Sequence, residues 1–223
     1  MNDIVLLHGT TAGQASYAPF AAALSNRGWT VHGVDLPVDR PEWRADEHAA
    51  FLAEHLDEVD RPVVLGHSGA GLILEAVGHA LDAAHLVWLA AYIPADGMSL
   101  VDEDLTAVFN ADWLGVDPTS DPEAAAFFLY HDCDDETFQW ALPRQRLWHP
   151  GAAAEVAMHR GEDVRASTVL VASQDRTIRP DWLRRAARDR LGVEPIEVDT
   201  GHCPHVSCPD GLAEIVNSAI AGQ

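Results

Sequence analysis

The chain has no lysine: its fourteen basic side chains are all arginine, against thirty-five Asp and Glu, for a net charge of −21. A surface of that sign repels phosphate backbones and anionic lipid headgroups, so neither nucleic acid nor a membrane is expected as a partner. The acid excess raises solubility and suits a salty habitat or a compositional habit of the source. It does not point to a substrate. Cysteine is scarce, with Cys133, Cys203 and Cys208 making an odd number. Met1-Asn2-Asp3 runs straight into Ile4-Val5-Leu6-Leu7, with no basic flank and no cleavable apolar region. The two facts together speak against a disulfide framework and for a cytoplasmic protein. No window approaches the roughly eighteen apolar residues of a spanning helix.

What remains is ordinary globular composition, 48% hydrophobic and 22% charged over 223 residues. That is about one and a half times a usual domain, so one domain with an insertion is expected. Short apolar runs at Ile4–Leu7, Thr30–Val34, Pro62–Leu65, Leu86–Ala90, Thr168–Val171 and Glu194–Val198 alternate with helix-length segments. Tyr17–Arg27, Asp46–Val59 and Gly71–Leu81, rich in Ala and Leu, are long enough for crossover helices. The pattern predicts an α/β fold, a mostly parallel six-stranded sheet with helices on both faces.

The rhythm breaks after the fourth strand, where about seventy residues separate two strands that a much shorter crossover could join. Ser120-Asp121-Pro122-Glu123 and Asp134-Asp135-Glu136 read as helix starts inside it. Residues 95–165 are therefore expected to form a small helical lid on a core of residues 1–94 and 166–223. Eight of the sixteen aromatics fall in the lid: Phe109, Trp113, Phe127, Phe128, Tyr130, Phe138, Trp140 and Trp148. A unit this small needs large side chains to pack at all, and some of them can also line a pocket.

Gly66-His67-Ser68-Gly69-Ala70-Gly71 places a serine directly after a predicted strand and directly before a predicted helix. That is the setting of a nucleophile elbow, whose tight turn needs small residues two places before and two after the serine. Gly66, Gly69 and Ala70 supply the small residues, the methyl of Ala70 standing where glycine is commoner. Gly97-Met98-Ser99 also fits Gly-x-Ser but follows no strand, so Ser99 reads as a turn residue.

A serine hydroxyl needs a base, and the base an orienting acid. In this topology the acid comes first and the histidine last. Asp175 follows the fifth strand and His202 the sixth, both at carboxyl ends, the edge where open α/β sheets bind ligands. His205 is the rival base and Asp96 the rival acid; the tight Gly201-His202 turn favours His202. His202, Cys203, His205 and Cys208 also suggest a metal run, but the spacing matches none of the common zinc patterns, and no metal is expected. His131-Asp132-Cys133-Asp134-Asp135-Glu136 invites the same idea and is better read as a polar helix start. For the oxyanion, the N–H of Gly69, after the nucleophile, and the N–H of Thr10, in the loop His8-Gly9-Thr10-Thr11, are the candidate donors, with Gly9 letting that backbone turn inward. Gly9, His67 and, from the lid, Trp113, Phe128 and Trp140 are the candidate substrate contacts.

With His8-Gly9, Gly66-His67-Ser68-Gly69, Asp175 and Gly201-His202 in this order, the chain resembles α/β-hydrolase-fold serine hydrolases across nearly its whole length. The run Leu89-Ala90-Ala91-Tyr92-Ile93-Pro94, the short chain and the small lid resemble the branch of plant methylesterases, hydroxynitrile lyases and their bacterial relatives. The resemblance implies a triad of Ser68, His202 and Asp175, no cofactor, and a pocket between sheet edge and lid. The lyases of that branch carry Thr after the first strand's His and Lys after the catalytic His; Gly9 and Cys203 stand there in this chain. Without that cation, cleavage of a small, largely apolar ester by a monomer or homodimer is the expectation, with lyase, cyclase or acyl-transferase chemistry, or ligand binding without turnover, as alternatives. The esterases tend to have bulky aromatics in the first loop, where this chain has Ala12, Gln14 and Ala15, which leaves the acyl pocket undefined.

Overall fold

The computed structural model describes residues 2–149, 151–157 and 166–221. All six apolar runs are strands: β1 (Asp3–Leu7), β2 (Thr30–Gly33), β3 (Val63–His67), β4 (His85–Leu89), β5 (Ser167–Ala172) and β6 (Ile196–Val198). They pair in parallel throughout, in the order β2-β1-β3-β4-β5-β6. The last strand is shorter than its apolar run, because Pro195 has no N–H to give a ladder and Glu194 is turned toward Arg188, 2.9 Å away.

The three crossover helices are α1 (Ala18–Ser25), α2 (Ala45–His55) and α3 (Gly71–Ala80). Helix α2 ends four residues before Val59; Asp57, Glu58 and Asp60 put negative charge at the end where the helix dipole disfavours it. Side chains alternate along each strand and divide the core in two. Val5, Leu7, Val64, Trp88 and Val171 pack with α2, α3 and α7 (Pro180–Leu191) on one face. Ile4, Leu6, Leu65, Leu89 and Leu170 pack with α1 and α9 (Pro209–Ala221) on the other. Among the described residues, no helix is long and apolar enough to cross a membrane.

Between β4 and β5 lie α4 (Leu105–Val108), α5 (Pro122–Ala124), which continues as a π-helical turn over Ala125–Leu129, and α6 (Asp135–Ala141). Both helix starts read from the sequence are capped by aspartate. Asp121 accepts from the N–H groups of Glu123 and Ala124 with Pro122 in the first turn, and Asp134 accepts from Thr137 at 2.8 Å. Residues 158–165, where the far boundary of this segment was drawn, and residues 222–223 lie outside the described residues. Ala125, Phe128, Leu129, Tyr130 and Ala141 form a third apolar cluster that closes on Cys203 and Val206, the latter in α8 (Pro204–Ser207). The segment therefore packs directly against the loop after β6.

Candidate active site

Strand order reverses between β1 and β3, since the chain leaves β1 for β2 on one side and returns to β3 on the other. Ligands of open α/β sheets bind at such a switch point, outside the carboxyl ends of the strands. The loop after β1 carries Gly9 and Thr10, and β3 ends at His67, directly before Ser68.

Ser68 has a φ of 56°, a left-handed conformation that costs a non-glycine residue energy and is held only where its surroundings enforce it. Three contacts enforce it here. The Tyr92 N–H donates to the Ser68 carbonyl at 3.1 Å. Gly71, in the first turn of α3, is so near β4's exit that a Cβ there would lie 1.9 Å from the Tyr92 carbonyl oxygen. A Cβ on Gly66 would stand 3.1 Å from Leu74. The small residues around Ser68 are thus required by packing.

The strain aims Ser68 Oγ at His202 Nε2, 3.0 Å away. On the other side of the ring, Nδ1 lies 2.7 Å from Asp175 Oδ2. The two side chains are 3% and 2% exposed, so water does not compete for this contact. Asp175 Oδ1 accepts the N–H groups of Thr177 at 2.7 Å and Ile178 at 3.2 Å, which fixes the carboxylate on its own turn. Thr177, which sequence reading passes over, completes the arrangement. Its hydroxyl donates to Asp175 Oδ1 at 3.0 Å and stands 2.7 Å from His202 Nδ1. A hydroxyl has one proton, so with that proton on Asp175 it accepts from the ring N–H. The ring then carries hydrogen on Nδ1 and presents a lone pair to Ser68. The signal for Thr177 was the Asp-x-Thr spacing of an Asx turn, too common to single out.

The rival residues stand elsewhere. Asp96 is exposed. His205 is buried and stacks on Tyr17 with ring centroids 4.0 Å apart, and burial pushes it down to about 3, leaving it neutral. Ser99 Oγ donates to Asp102 Oδ2 at 2.5 Å, as a turn serine does. The suggested metal run is not assembled, since His202 is committed to Ser68 and Asp175 and Cys208 is exposed. Metal-type ligand atoms instead converge, among the described residues, at His67, Cys203 and His205, within 4.8 Å of one another. Burial holds the Cys203 thiol well above the ordinary range, so it is protonated.

Gly9 and Gly69 lie on either side of the Ser68 hydroxyl's surroundings. A Cβ on Gly9 would be 3.0 Å from Ser68 Cβ; Gly9 is not among the positive-φ glycines, so it serves by leaving space rather than by an unusual turn. A Cβ on Gly69 would meet Thr10 Cγ2 at 2.4 Å, which brings the two candidate N–H donors' residues into contact. The Gly69 N–H belongs to the first turn of a helix, where amides have no intrahelical partner.

His67, expected as a substrate contact, is 2% exposed and lies beneath the site. Its Nε2–H donates to the main-chain carbonyl of His202 at 2.8 Å, and burial, with His205 and His202 adding to it, keeps the ring neutral. Trp113 lines a cleft of about 370 Å³ together with Thr10, Phe109, Leu147 and Trp148. Phe128 supports Trp113 edge-on from behind, centroids 5.3 Å apart. Trp140 is not on that cleft and is covered by the Arg144 guanidinium at 4.2 Å. The Trp148 N–H donates to the Thr10 carbonyl at 2.7 Å, so the segment after β4 is bonded to the loop after β1. The aromatic wall absent from the first loop comes from that segment.

A model of the alpha/beta hydrolase family matches residues 4–215. Among curated proteins, a pyrethroid hydrolase of Sphingobium wenxiniae is 31% identical over 113 residues, half of this chain and 38% of that protein's length. An extracellular alpha/beta-hydrolase of a Paenibacillus species, described as sharing structural and functional homology with a tobacco salicylic acid binding protein, superposes with a TM-score of 0.79. It is 17% identical, with 98% of this chain and 99% of that one covered. An Arabidopsis methylesterase superposes with a TM-score of 0.78 over the full length of both chains at 16% identity. At these identities the two structures establish the shared fold.

Proposed function

The chain belongs to the alpha/beta hydrolase family, and from that premise we propose that it is a serine carboxylesterase acting through Ser68, His202 and Asp175. One observation carries the reading: a single buried imidazole is hydrogen-bonded to a strained serine through Nε2 and to a carboxylate through Nδ1. His202 Nε2 takes the Ser68 proton as Oγ attacks the ester carbonyl. Asp175 and Thr177 hold the ring that becomes cationic, and the N–H groups of Gly69 and Thr10 receive the oxyanion. The tetrahedral intermediate collapses, His202 gives its proton to the departing alkoxide, and an alcohol leaves. Water, deprotonated by the same ring, then attacks the acyl-serine, and the acid is released with the proton returned to Ser68.

The described part of the segment between β4 and β5 acts as a lid whose Trp113, Leu147 and Trp148 make the cleft's apolar wall. That cleft meets the proposed machinery at Thr10, while Ser68, Gly69 and His202 do not line it, and its size and mainly apolar lining suit a small, largely apolar ester. The esterase and pyrethroid hydrolase names among the similar proteins support the same class. Cyanohydrin cleavage asks for a cation beside the base, and the residue after His202 is a neutral, buried thiol. The three free cysteines support a reducing, cytoplasmic location.

The test is release of p-nitrophenol from short-chain p-nitrophenyl esters by the protein and by Ser68→Ala. Turnover by the first, reduced by about 10⁴-fold or more in the second, is expected. Equal rates would remove Ser68 from the mechanism.

A further inference from the structure

The acidic tract that begins at His131-Asp132 does more than start a helix. Asp132 Oδ2 accepts the N–H of Gly201 at 2.7 Å, and Gly201 immediately precedes His202. His131 Nε2 donates to the carbonyl of Gln174 at 3.0 Å, and Gln174 immediately precedes Asp175. One dipeptide of the inserted segment thus bonds the Thr200–Gly201 peptide, one step upstream of the proposed base's own, and the Gln174–Asp175 peptide, which leads into the proposed acid. The fit is close enough to dictate a residue type. A Cβ on Gly201 would lie 2.7 Å from Asp132 Oδ1 and 2.8 Å from His131 Nε2. Gly201 is therefore glycine because this pair sits on it.

The two loops are also joined to each other. Ser173 N–H donates to Val198 at 2.9 Å, Gln174 N–H to Thr200 at 3.0 Å, and the Gln174 side chain to Asp199 at 2.8 Å. Those bonds lie on the strand side of Gly201. The Thr200 carbonyl and the Gly201 N–H belong to one peptide, so Gln174 and Asp132 hold that plane, one step before His202's own, from its two sides. Asp132 Oδ1 is buried without a hydrogen-bond partner, and an unpaired buried acceptor carries a cost.

Resting on the esterase reading above, we propose that His131 and Asp132 are positioning residues, holding Asp175 and His202 at the separation and angle the reaction needs. They touch neither Ser68 nor the ring of His202, and act through the two peptides they bond. Misplacement of reacting groups by about 1 Å can cost about 100-fold in rate, so their removal should appear in kcat and leave KM nearly unchanged. A merely structural role would lower the melting temperature and leave the kcat of the folded fraction unaltered.

The experiment compares the wild type with Asp132→Ala, Asp132→Asn and His131→Ala in two measurements. The first is kcat and KM on a p-nitrophenyl ester, referred to folded protein. The second is the downfield proton NMR signal of the His202 Nδ1–H, assigned by its loss in His202→Ala. The expected result is a 10- to 100-fold lower kcat in Asp132→Ala and His131→Ala, with KM within about twofold and the proton signal broadened or lost. Asp132→Asn, whose amide oxygen can still accept from Gly201, should keep the signal and most of the rate. An unchanged signal in both alanine variants, or an asparagine variant as impaired as the alanine one, would overturn the proposal. Absence of ester turnover in the wild type would overturn the esterase reading instead, while the proton signal would still report whether the pair holds the ring.

Discussion

The ring of His67 donates from Nε2 to the main-chain carbonyl of His202 at 2.8 Å, which joins the residue before the nucleophile directly to the backbone of its partner. The strand that leads into Ser68 and the loop that carries His202 are far apart in sequence, and this bond sets their relative position below the reacting atoms. His67→Leu removes the donor and leaves a buried carbonyl unpaired. It should cost about 1–3 kcal/mol of stability and lower kcat about 10-fold or more with little change in KM. Chemical denaturation and steady-state kinetics on the same sample check both. A loss of stability with kcat intact would assign His67 to folding alone.

Thr177 is a second support of His202, acting on its ring rather than its main chain. Thr177→Val keeps the shape and removes the hydroxyl that bridges Asp175 and His202. A hydrogen bond of this kind is worth about 1.5 kcal/mol, so kcat/KM should fall about 10-fold. Steady-state kinetics of the variant tests it, and an unchanged value would leave Asp175 as the ring's sole effective partner.

Much of this was legible in the sequence, for reasons that differ by residue. The four inner strands β1, β3, β4 and β5 were readable because each is buried on both faces and so appears as a short apolar run, whereas the edge strands β2 and β6, largely exposed, were readable from their place in the alternation with helices. Ser68, Asp175 and His202 were readable because a nucleophile turn demands small neighbours and the topology orders its partners. Thr177, His131 and Asp132 were not readable: each acts through a hydrogen bond to a residue distant in the chain or to a backbone atom, which leaves no periodic or compositional trace. His67 was misplaced among the substrate contacts because its neighbour Ser68 faces the site, whereas alternation along β3 turns His67 beneath it. The aromatic wall was readable as a composition, eight aromatics in one segment. Which ring faces the cleft was decided by packing, with Trp113 on it and Trp140 off it.

Gly71 gives a prediction about folding. Its Cα faces the Tyr92 carbonyl so closely that an added methyl has no room, and the obstacle is main chain. Gly71→Ala should destabilise by about 3 kcal/mol or more, at or above the upper end of ordinary overpacking. Measured unfolding free energy tests this, and a change below about 1 kcal/mol would mean that α3 can move away from β4 without loss.

Acid should destabilise the fold above the range where carboxylates titrate. His205 is pushed from 6.5 to about 3 and His48 from 6.5 to about 4, in both cases chiefly by burial. Above pH 6.5 both states are neutral at these sites, so nothing is lost. Below it the unfolded chain takes up protons that the fold refuses, and stability falls as pH drops from about 6.5 toward 3. At pH 5 each such histidine should cost about 2 kcal/mol. Unfolding free energies at pH 7 and pH 5 should differ by less in His205→Phe, which keeps a ring against Tyr17. An identical difference in that variant would exclude His205 as a source of the acid sensitivity.

The most direct measurement is labelling with a fluorophosphonate followed by mass mapping of the modified peptide, for the wild type and for His202→Ala. The account predicts one adduct per chain, on Ser68, formed at least about 100-fold more slowly when His202 is absent. An adduct on another residue, or labelling of Ser68 at the same rate without His202, would contradict it.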